Sequence, residues 1–104
     1  MSTIPKRFTE YMRSYPEIAD AYENLSEACR AAGPLGRKER ILVKLGMAIG
    51  TGVEGSLRSQ VRKGLEAGLT REEILQAFHL SIVTIGFPKM MAALTTVEDI
   101  LDGA

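Results

Sequence analysis

The sequence predicts an all-α protein of five or six helices. Apolar residues recur at helical spacing, as in the stripe formed by Ile18, Tyr22, Leu25, Cys29 and Ala32. No apolar/polar alternation bounded by turn signals indicates a strand. Glycines and prolines end one helical pattern and begin the next, which is typical of a helical bundle with short connections.

Two helices are predicted before residue 33. A short one is expected around residues 5–12, and the second carries the apolar stripe. Ser14 and Pro16 suit the start of this second helix, because Ser caps helix N-termini and Pro fits the first turn. Gly33-Pro34 ends it. Charges and prolines interrupt the first eighteen residues too early for the apolar segment of a signal peptide.

The middle of the chain predicts a buried helix followed by an amphipathic one. Residues 37–50 begin with charges and are then apolar in nearly every direction, which is typical of a buried helix. Residues 52–67 place Leu57, Val61 and Leu65 on one face. Gly68 is the expected C-terminal cap.

The last third predicts two more helices. Thr70 and Glu73 have the spacing of a capping box, and the following residues, through Ile85, are apolar around most of the helix. Gly86-Phe87-Pro88 ends that helix and begins the last one. Two nearly all-apolar helices are difficult to bury in so short a chain, so we expect a homo-oligomer.

Composition excludes several classes of protein. The chain has 104 residues, one Cys, one His, 13 bases and 13 acids. A single Cys permits no internal disulfide, and one Cys with one His cannot supply a structural zinc site. The apolar runs at 41–49 and 80–87 are too short to span a bilayer. We expect one cytoplasmic domain over residues 1–104, with no cofactor, metal, membrane or nucleic-acid partner.

Charge is unevenly distributed along the chain. Residues 34–71 carry eight bases and three acids, whereas residues 72–104 carry five acids and one base. Two solvated faces of opposite sign are the favoured interpretation, and pairing of the two parts within or between subunits is the alternative.

Three polar features each admit a structural and a functional interpretation. Cys29 lies on an apolar stripe and is expected to be buried, with a reactive thiol as the alternative. For His79, a core or interface position is the favoured interpretation, and a general base is the alternative. For the glycines of residues 50–55, a tight turn between helices is the favoured interpretation, and an anion-binding site is the alternative. Residues 70–87 open like a helix-turn-helix but offer no polar face to read base edges, so DNA binding is rejected.

The order of motifs over residues 33–97 resembles the carboxymuconolactone decarboxylase-like family, which includes the AhpD-type alkylhydroperoxidases. The most specific pieces are VRKGLEAGLTREEI, at residues 61–74, and GFPKMMAAL, at residues 86–94. The resemblance implies an all-helical AhpD-like fold and a trimer or hexamer.

The resemblance also implies an active site that this sequence lacks. The family's peroxidase branch has a Cys-x-x-Cys pair, a His four residues later and an upstream Glu. These positions fall on Val53 and Ser56, on Gln60, and on Ile41. None of these side chains is a thiolate or a base, so the peroxidase and decarboxylase chemistries both lack their groups.

Two functions follow as hypotheses. The first is an oligomeric scaffold or small-ligand-binding protein that has lost the redox pair. The second is an enzyme with a decarboxylase, lactone-type or peroxiredoxin-related reaction on a small carboxylate; if active, it is closer to a decarboxylase-like lyase than to a thiol peroxidase. Its polar groups would be Glu54, Ser56, Gln60 and His79, with Arg58 or Arg62 anchoring a small acidic ligand. Glu54 has helix capping as its first interpretation. An interaction module of a larger redox system is a third, lesser alternative.

Overall fold

The computed structural model describes residues 4–103, which form six helices and no strand. The helices are α1 (Lys6–Ser14), α2 (Pro16–Ala31), α3 (Arg37–Thr51), α4 (Glu54–Glu66), α5 (Arg71–Ile82) and α6 (Phe87–Asp102). The predicted all-α class is confirmed, and the predicted helices are found with ends shifted by up to three residues. The first three residues and the last, which the predicted domain over 1–104 includes, lie outside the described part.

The described residues fall into two compact units, 4–35 and 36–103. In the first unit, α2 begins with Pro16, and Tyr15 is its N-cap without a side-chain hydrogen bond. Ser14 is the last residue of α1 and does not cap α2. The rings of Tyr11 and Tyr15 lie with their centroids 4.9 Å apart. The apolar stripe of α2 contains no buried residue.

The second unit holds the apolar core. Helix α4 packs against α3 and α6, and α5 packs against the same two helices. The largest side chains with almost no exposure come from all four helices: Phe78, Leu45, Ile49, Leu57, Ile74, Leu101, Val61 and Val97. Each such side chain contributes roughly 1.5–3 kcal/mol when it leaves water. Burial of these residues therefore supplies the main stabilisation of the unit.

Helix ends in the second unit follow local chemistry. Gly52 caps α3 with φ +73, and Gly68 follows α4 with φ +94, a left-handed conformation that side chains disfavour. Thr70 and Glu73 form the predicted capping box. Helix α5 was expected to continue to Ile85. It ends earlier because the N–H groups of residues 84–86 all donate to the Ser81 carbonyl.

Within residues 36–103, helices α3 and α5 are covered on one side only, which agrees with the expectation that so short a chain cannot bury both of them all round. Met47 of α3 is 64% exposed, and Val83, the C-cap residue of α5, is 81% exposed. Only the side of each helix that faces the other three is covered, because a unit of four helices has no further layer to place outside them. The predicted homo-oligomer would cover these side chains, and it remains a prediction.

Candidate functional site

A groove of about 500 Å³ runs between α3 and α5. From α3 it is lined by Leu42, Val43 and Gly46. The other lining residues come from α5 and the turn after it: Glu73, Gln76, Ala77, Leu80, Ser81, Thr84 and Ile85. This volume falls within the usual range for small-molecule pockets.

Glycine opens the α3 side of the groove. A Cβ atom at Gly46 would meet no other atom within 4 Å, so the space above its backbone is empty. One turn later, a Cβ at Gly50 would lie 3.5 Å from Ile85 Cδ1. Gly46 costs roughly 1 kcal/mol of helix stability relative to Ala. Gly46 therefore places no side chain in this part of the groove.

Polar groups along the groove offer mainly hydrogen-bond acceptors. Glu73 Oε1 accepts the Thr70 N–H at 2.8 Å, and its carboxylate lies in the first turn of α5. The Ser81 hydroxyl donates to the Phe78 carbonyl, and the Thr84 hydroxyl donates to the Leu80 carbonyl. Their donor hydrogens are used within α5, so their oxygens remain as acceptors. None of the ten lining residues is a cation.

The four positions that the family comparison singled out lie outside this groove. Val53 is the exposed N-cap of α4, and Ser56 is exposed in its first turn. Gln60 is buried on α4, and Ile41 is buried on α3. A Cβ at Gly64 would lie 3.5 Å from Ile41 Cγ2, which places this part of α3 in the tightly packed core. The predicted positions are therefore divided between surface and core.

Gln60 is the unusual residue among them. It is 8% exposed, and its Oε1 has no hydrogen-bond partner among the described residues. An unsatisfied buried acceptor costs about 1–3 kcal/mol. A neutral amide in this environment cannot exchange a proton near neutral pH, so the position provides no acid or base.

Glu54 and His79 lie on different helices, and neither lines the groove. Glu54 is the first residue of α4 and is exposed. The N-cap of α4 is Val53, which makes no side-chain hydrogen bond, and Glu54 in the first turn lies where the helix dipole favours a carboxylate, so its capping role stays a prediction. His79 is exposed on α5, which excludes a core role in the single chain. Its alternative role at an interface stays a prediction.

Arg58 is already engaged by α6. Its guanidinium donates to both carboxylate oxygens of Asp99, at 2.8 Å each, and to the Thr96 carbonyl at 2.9 Å. The hydrogen bond to Asp99 raises the pKa of Arg58, and the charge of Glu54 adds to this rise. The same pair lowers the pKa of Asp99 to about 2. Arg58 therefore joins α4 to α6 and is not available as a ligand anchor, whereas the anchoring role of Arg62 stays a prediction.

Cys29 is exposed on α2, so its predicted burial is wrong. A thiol in this position can react, but the sequence holds no second cysteine to resolve an oxidised one. Within residues 4–103, no three His, Cys, Asp or Glu side chains come together as metal ligands do. Every helix in the same range is too short or too polar to cross a bilayer.

Sequence reasoning missed the residues that line the groove. The signal was present in α5, where residues 73, 77, 80 and 84 have the spacing of one helical face. This face was assigned to a core or an interface because most of it is apolar. Gly46 gives no such signal in the sequence, because the spacing within α3 does not show which helix faces it.

Comparison with known proteins gives one match. The model of the carboxymuconolactone decarboxylase family matches residues 16–99, which covers most of the chain. No curated protein and no solved structure matches the chain.

Proposed function

The chain belongs to the carboxymuconolactone decarboxylase family, and we propose that it is a non-peroxidatic member that binds a small, largely apolar ligand. The observation that carries this proposal is the groove between α3 and α5. It has the size of a ligand pocket, and its lining is mainly apolar. The positions at which the family resemblance implies thiols and a base lie elsewhere.

Thiol peroxidase chemistry lacks its participants here. In that reaction a thiolate attacks a peroxide oxygen, the O–O bond breaks, and the sulfur is oxidised to a sulfenic acid that a second thiol then reduces. Val53 and Ser56 stand where the resemblance implies the two thiols. Cys29 has no second cysteine in the chain that could act as the resolving thiol.

The alternative proposal is a family enzyme with altered acid/base chemistry on a small carboxylate. It requires a proton-transferring group beside the ligand and a cation to hold the carboxylate. Neither Glu54 nor His79, the acid/base groups of this alternative, lines the groove, where Glu73 is the one carboxylate. No cation lines the groove to hold a ligand carboxylate, and Arg58 is paired with Asp99. The ligand-binding proposal needs none of these groups, and we favour it for that reason.

We also propose that the protein works as a homo-oligomer, with trimer and hexamer as the states that the family resemblance implies. The support is exposed apolar surface outside the groove, at Met47 and Val83. A cytoplasmic location is proposed from the single cysteine, because disulfide frameworks are typical of oxidising compartments.

The ligand-binding proposal is tested with octanol as a neutral apolar probe and a matched pair of variants. Gly46→Leu places a side chain in the groove, and Gly55→Leu makes the same change at a position with equally open surroundings in α4. We expect titration calorimetry to show octanol binding to wild type and to Gly55→Leu, and at least a tenfold loss in Gly46→Leu. Equal binding by the two variants, or no binding by wild type, would contradict the proposal.

The non-peroxidatic character is tested separately. Purified protein is given hydrogen peroxide or an organic hydroperoxide with a dithiol reductant, and peroxide consumption is compared with that of the reductant alone. We expect no excess consumption by wild type or by Cys29→Ser. Turnover in wild type that disappears in Cys29→Ser would show that Cys29 acts as the peroxidatic thiol.

A further inference from the structure

We infer that the ligand class of the α3/α5 groove is an amine with an apolar tail, bound with its ammonium group near Glu73. The inference rests on the proposed ligand-binding function and specifies the chemistry of the ligand. It differs from the small acidic ligand that the family resemblance implies.

The charge of the groove lining favours a cationic head group. Glu73 is the single ionisable residue in the lining, and its side chain is a carboxylate. Its Oε1 accepts one backbone N–H, and a carboxylate has further acceptor sites on both oxygens. An ammonium group donates up to three hydrogen bonds and is attracted by the charge, whereas a ligand carboxylate is repelled.

The groove lining offers more hydrogen-bond acceptors than donors. Ser81 and Thr84 use their hydroxyl hydrogens on carbonyls of α5 and present only acceptors to the groove. Gln76 contributes the single side-chain amide donor of the lining. A ligand that brings its own donors is therefore better satisfied than one that brings acceptors.

The carboxylate of Glu73 lies at one end of the apolar lining of the groove. Glu73 lies at the N-terminal end of α5, and Ala77 and Leu80 follow on the same face. From Glu73 to Leu80 is seven residues, or about 10 Å along the helix axis. Leu42, Val43 and Gly46 of α3 form the opposite wall. The lining thus presents one anionic end and an apolar stretch, which is complementary to a linear amphiphilic amine.

One feature of α5 acts in the opposite direction. The N-terminus of a helix attracts anions, because its first N–H groups have no partner within the helix. Here the capping box already satisfies the Glu73 N–H through Thr70 Oγ1 at 3.0 Å. Two carboxylates, Glu72 and Glu73, occupy the first turn. The local charge is therefore negative despite the helix dipole.

The experiment compares octylamine, octanol and octanoate, which share a tail and differ in the charge of the head group. Binding is measured by titration calorimetry at neutral pH to wild type, Glu73→Gln and Glu72→Gln. Gln at the third helical position preserves the capping box, so the fold is maintained while the groove charge is removed. Glu72→Gln removes the same charge from the same turn at a residue that does not line the groove.

We expect octylamine to bind wild type about three- to tenfold more tightly than octanoate, because Glu73 attracts the ammonium and repels the carboxylate, and each of these exposed charge interactions changes affinity by up to a few-fold. Glu73→Gln should bring the two affinities within about twofold, and Glu72→Gln should leave the ratio as in wild type. Equal or tighter octanoate binding by wild type would overturn the inference, as would equal effects of the two variants. Octanol separates the two levels: if it binds while octylamine shows no preference, only this inference fails, and if none of the three binds, the proposed function fails with it.

Discussion

Replacing Gln60 by Met tests whether the position that the family resemblance assigns to a catalytic His has become part of the core. Gln60 is 8% exposed, and its Oε1 has no hydrogen-bond partner in the described chain. Met has a similar length, a similar helix propensity and no strong acceptor to desolvate. The substitution therefore removes one unfavourable term and keeps the volume.

The magnitude follows from the cost of the unsatisfied acceptor. A buried oxygen without a partner destabilises the folded state by about 1–3 kcal/mol. Removing the oxygen removes this cost, and small packing changes offset part of the resulting stabilisation. We therefore expect Gln60→Met to raise the free energy of unfolding by about 1 kcal/mol. For a domain of this size, that corresponds to an increase in Tm of roughly 4–8 °C.

The assay is urea denaturation followed by circular dichroism, with thermal melts on the same samples. Gln60→Glu is the opposite arm: a carboxylate placed in the core without a partner should lower the free energy of unfolding by about 2 kcal/mol or more at neutral pH. Gln76→Met makes the same amide-to-thioether change on the exposed side of α5 and should stay within about 0.5 kcal/mol of wild type. A loss of stability of about 1 kcal/mol in Gln60→Met would refute the reasoning, because it would mean that Oε1 is hydrogen-bonded in solution, for example to a buried water.

Three further predictions concern the second unit. Asp99 has a folded pKa of about 2 against an ordinary value of 3.8 because Arg58 binds it, so its contribution is complete above the unfolded pKa and is lost as pH falls toward 2. The urea midpoint of wild type should therefore fall more steeply between pH 4 and pH 2 than that of Asp99→Asn, and parallel curves would contradict this. Thr70→Ala removes the capping box and should lower the free energy of unfolding, measured by urea denaturation, by about 1 kcal/mol. Thr95→Ala, at an exposed position of α6, should lower it by less than half of that. Gly64→Val should destabilise by roughly 1–3 kcal/mol in the same assay, because a Cβ there already lies 3.1 Å from Leu69 Cδ1; unchanged stability would show that this contact relaxes freely.

The helices could be predicted because their signals are local. The capping box at Thr70, the glycines after α3 and α4, and Pro88 in the first turn of α6 each determine a helix end through neighbouring residues alone. The early end of α5 could not be predicted in the same way. It depends on three N–H groups that converge on one carbonyl, which the apolar pattern of residues 82–85 does not reveal.

Burial was harder to predict than helicity. Burial of Cys29 was inferred from its position on the apolar stripe of α2, but apolar periodicity shows only which residues share a face and not whether another element covers that face. Cys29 was misplaced for this reason, because it lies on an apolar stripe and is exposed in the structure. His79 lies between Phe78 and Leu80 and is also exposed, which leaves an interface role as the prediction. Gln60 was correctly located on α4 but could not be recognised as buried, because its own side chain is polar.

The location of the candidate site could not be predicted from the sequence, because it depends on which helices pack together. The family resemblance directed attention to residues 53–60, whereas the groove is formed by α3 and α5. Gly46 of α3 lines it opposite residues of α5, and these two helices are not consecutive in sequence. Composition and spacing within one helix contain no information about this pairing.

The central claim is that the ligand site lies between α3 and α5 and not at the positions of the family's missing thiols. It is tested most directly by mapping amide chemical-shift changes in ¹⁵N-labelled protein during titration with octylamine. We predict that the largest changes fall on the groove residues Val43, Gly46, Gln76 and Ala77. Changes concentrated instead on Val53, Ser56 and Gln60, with the groove residues unmoved, would contradict the account.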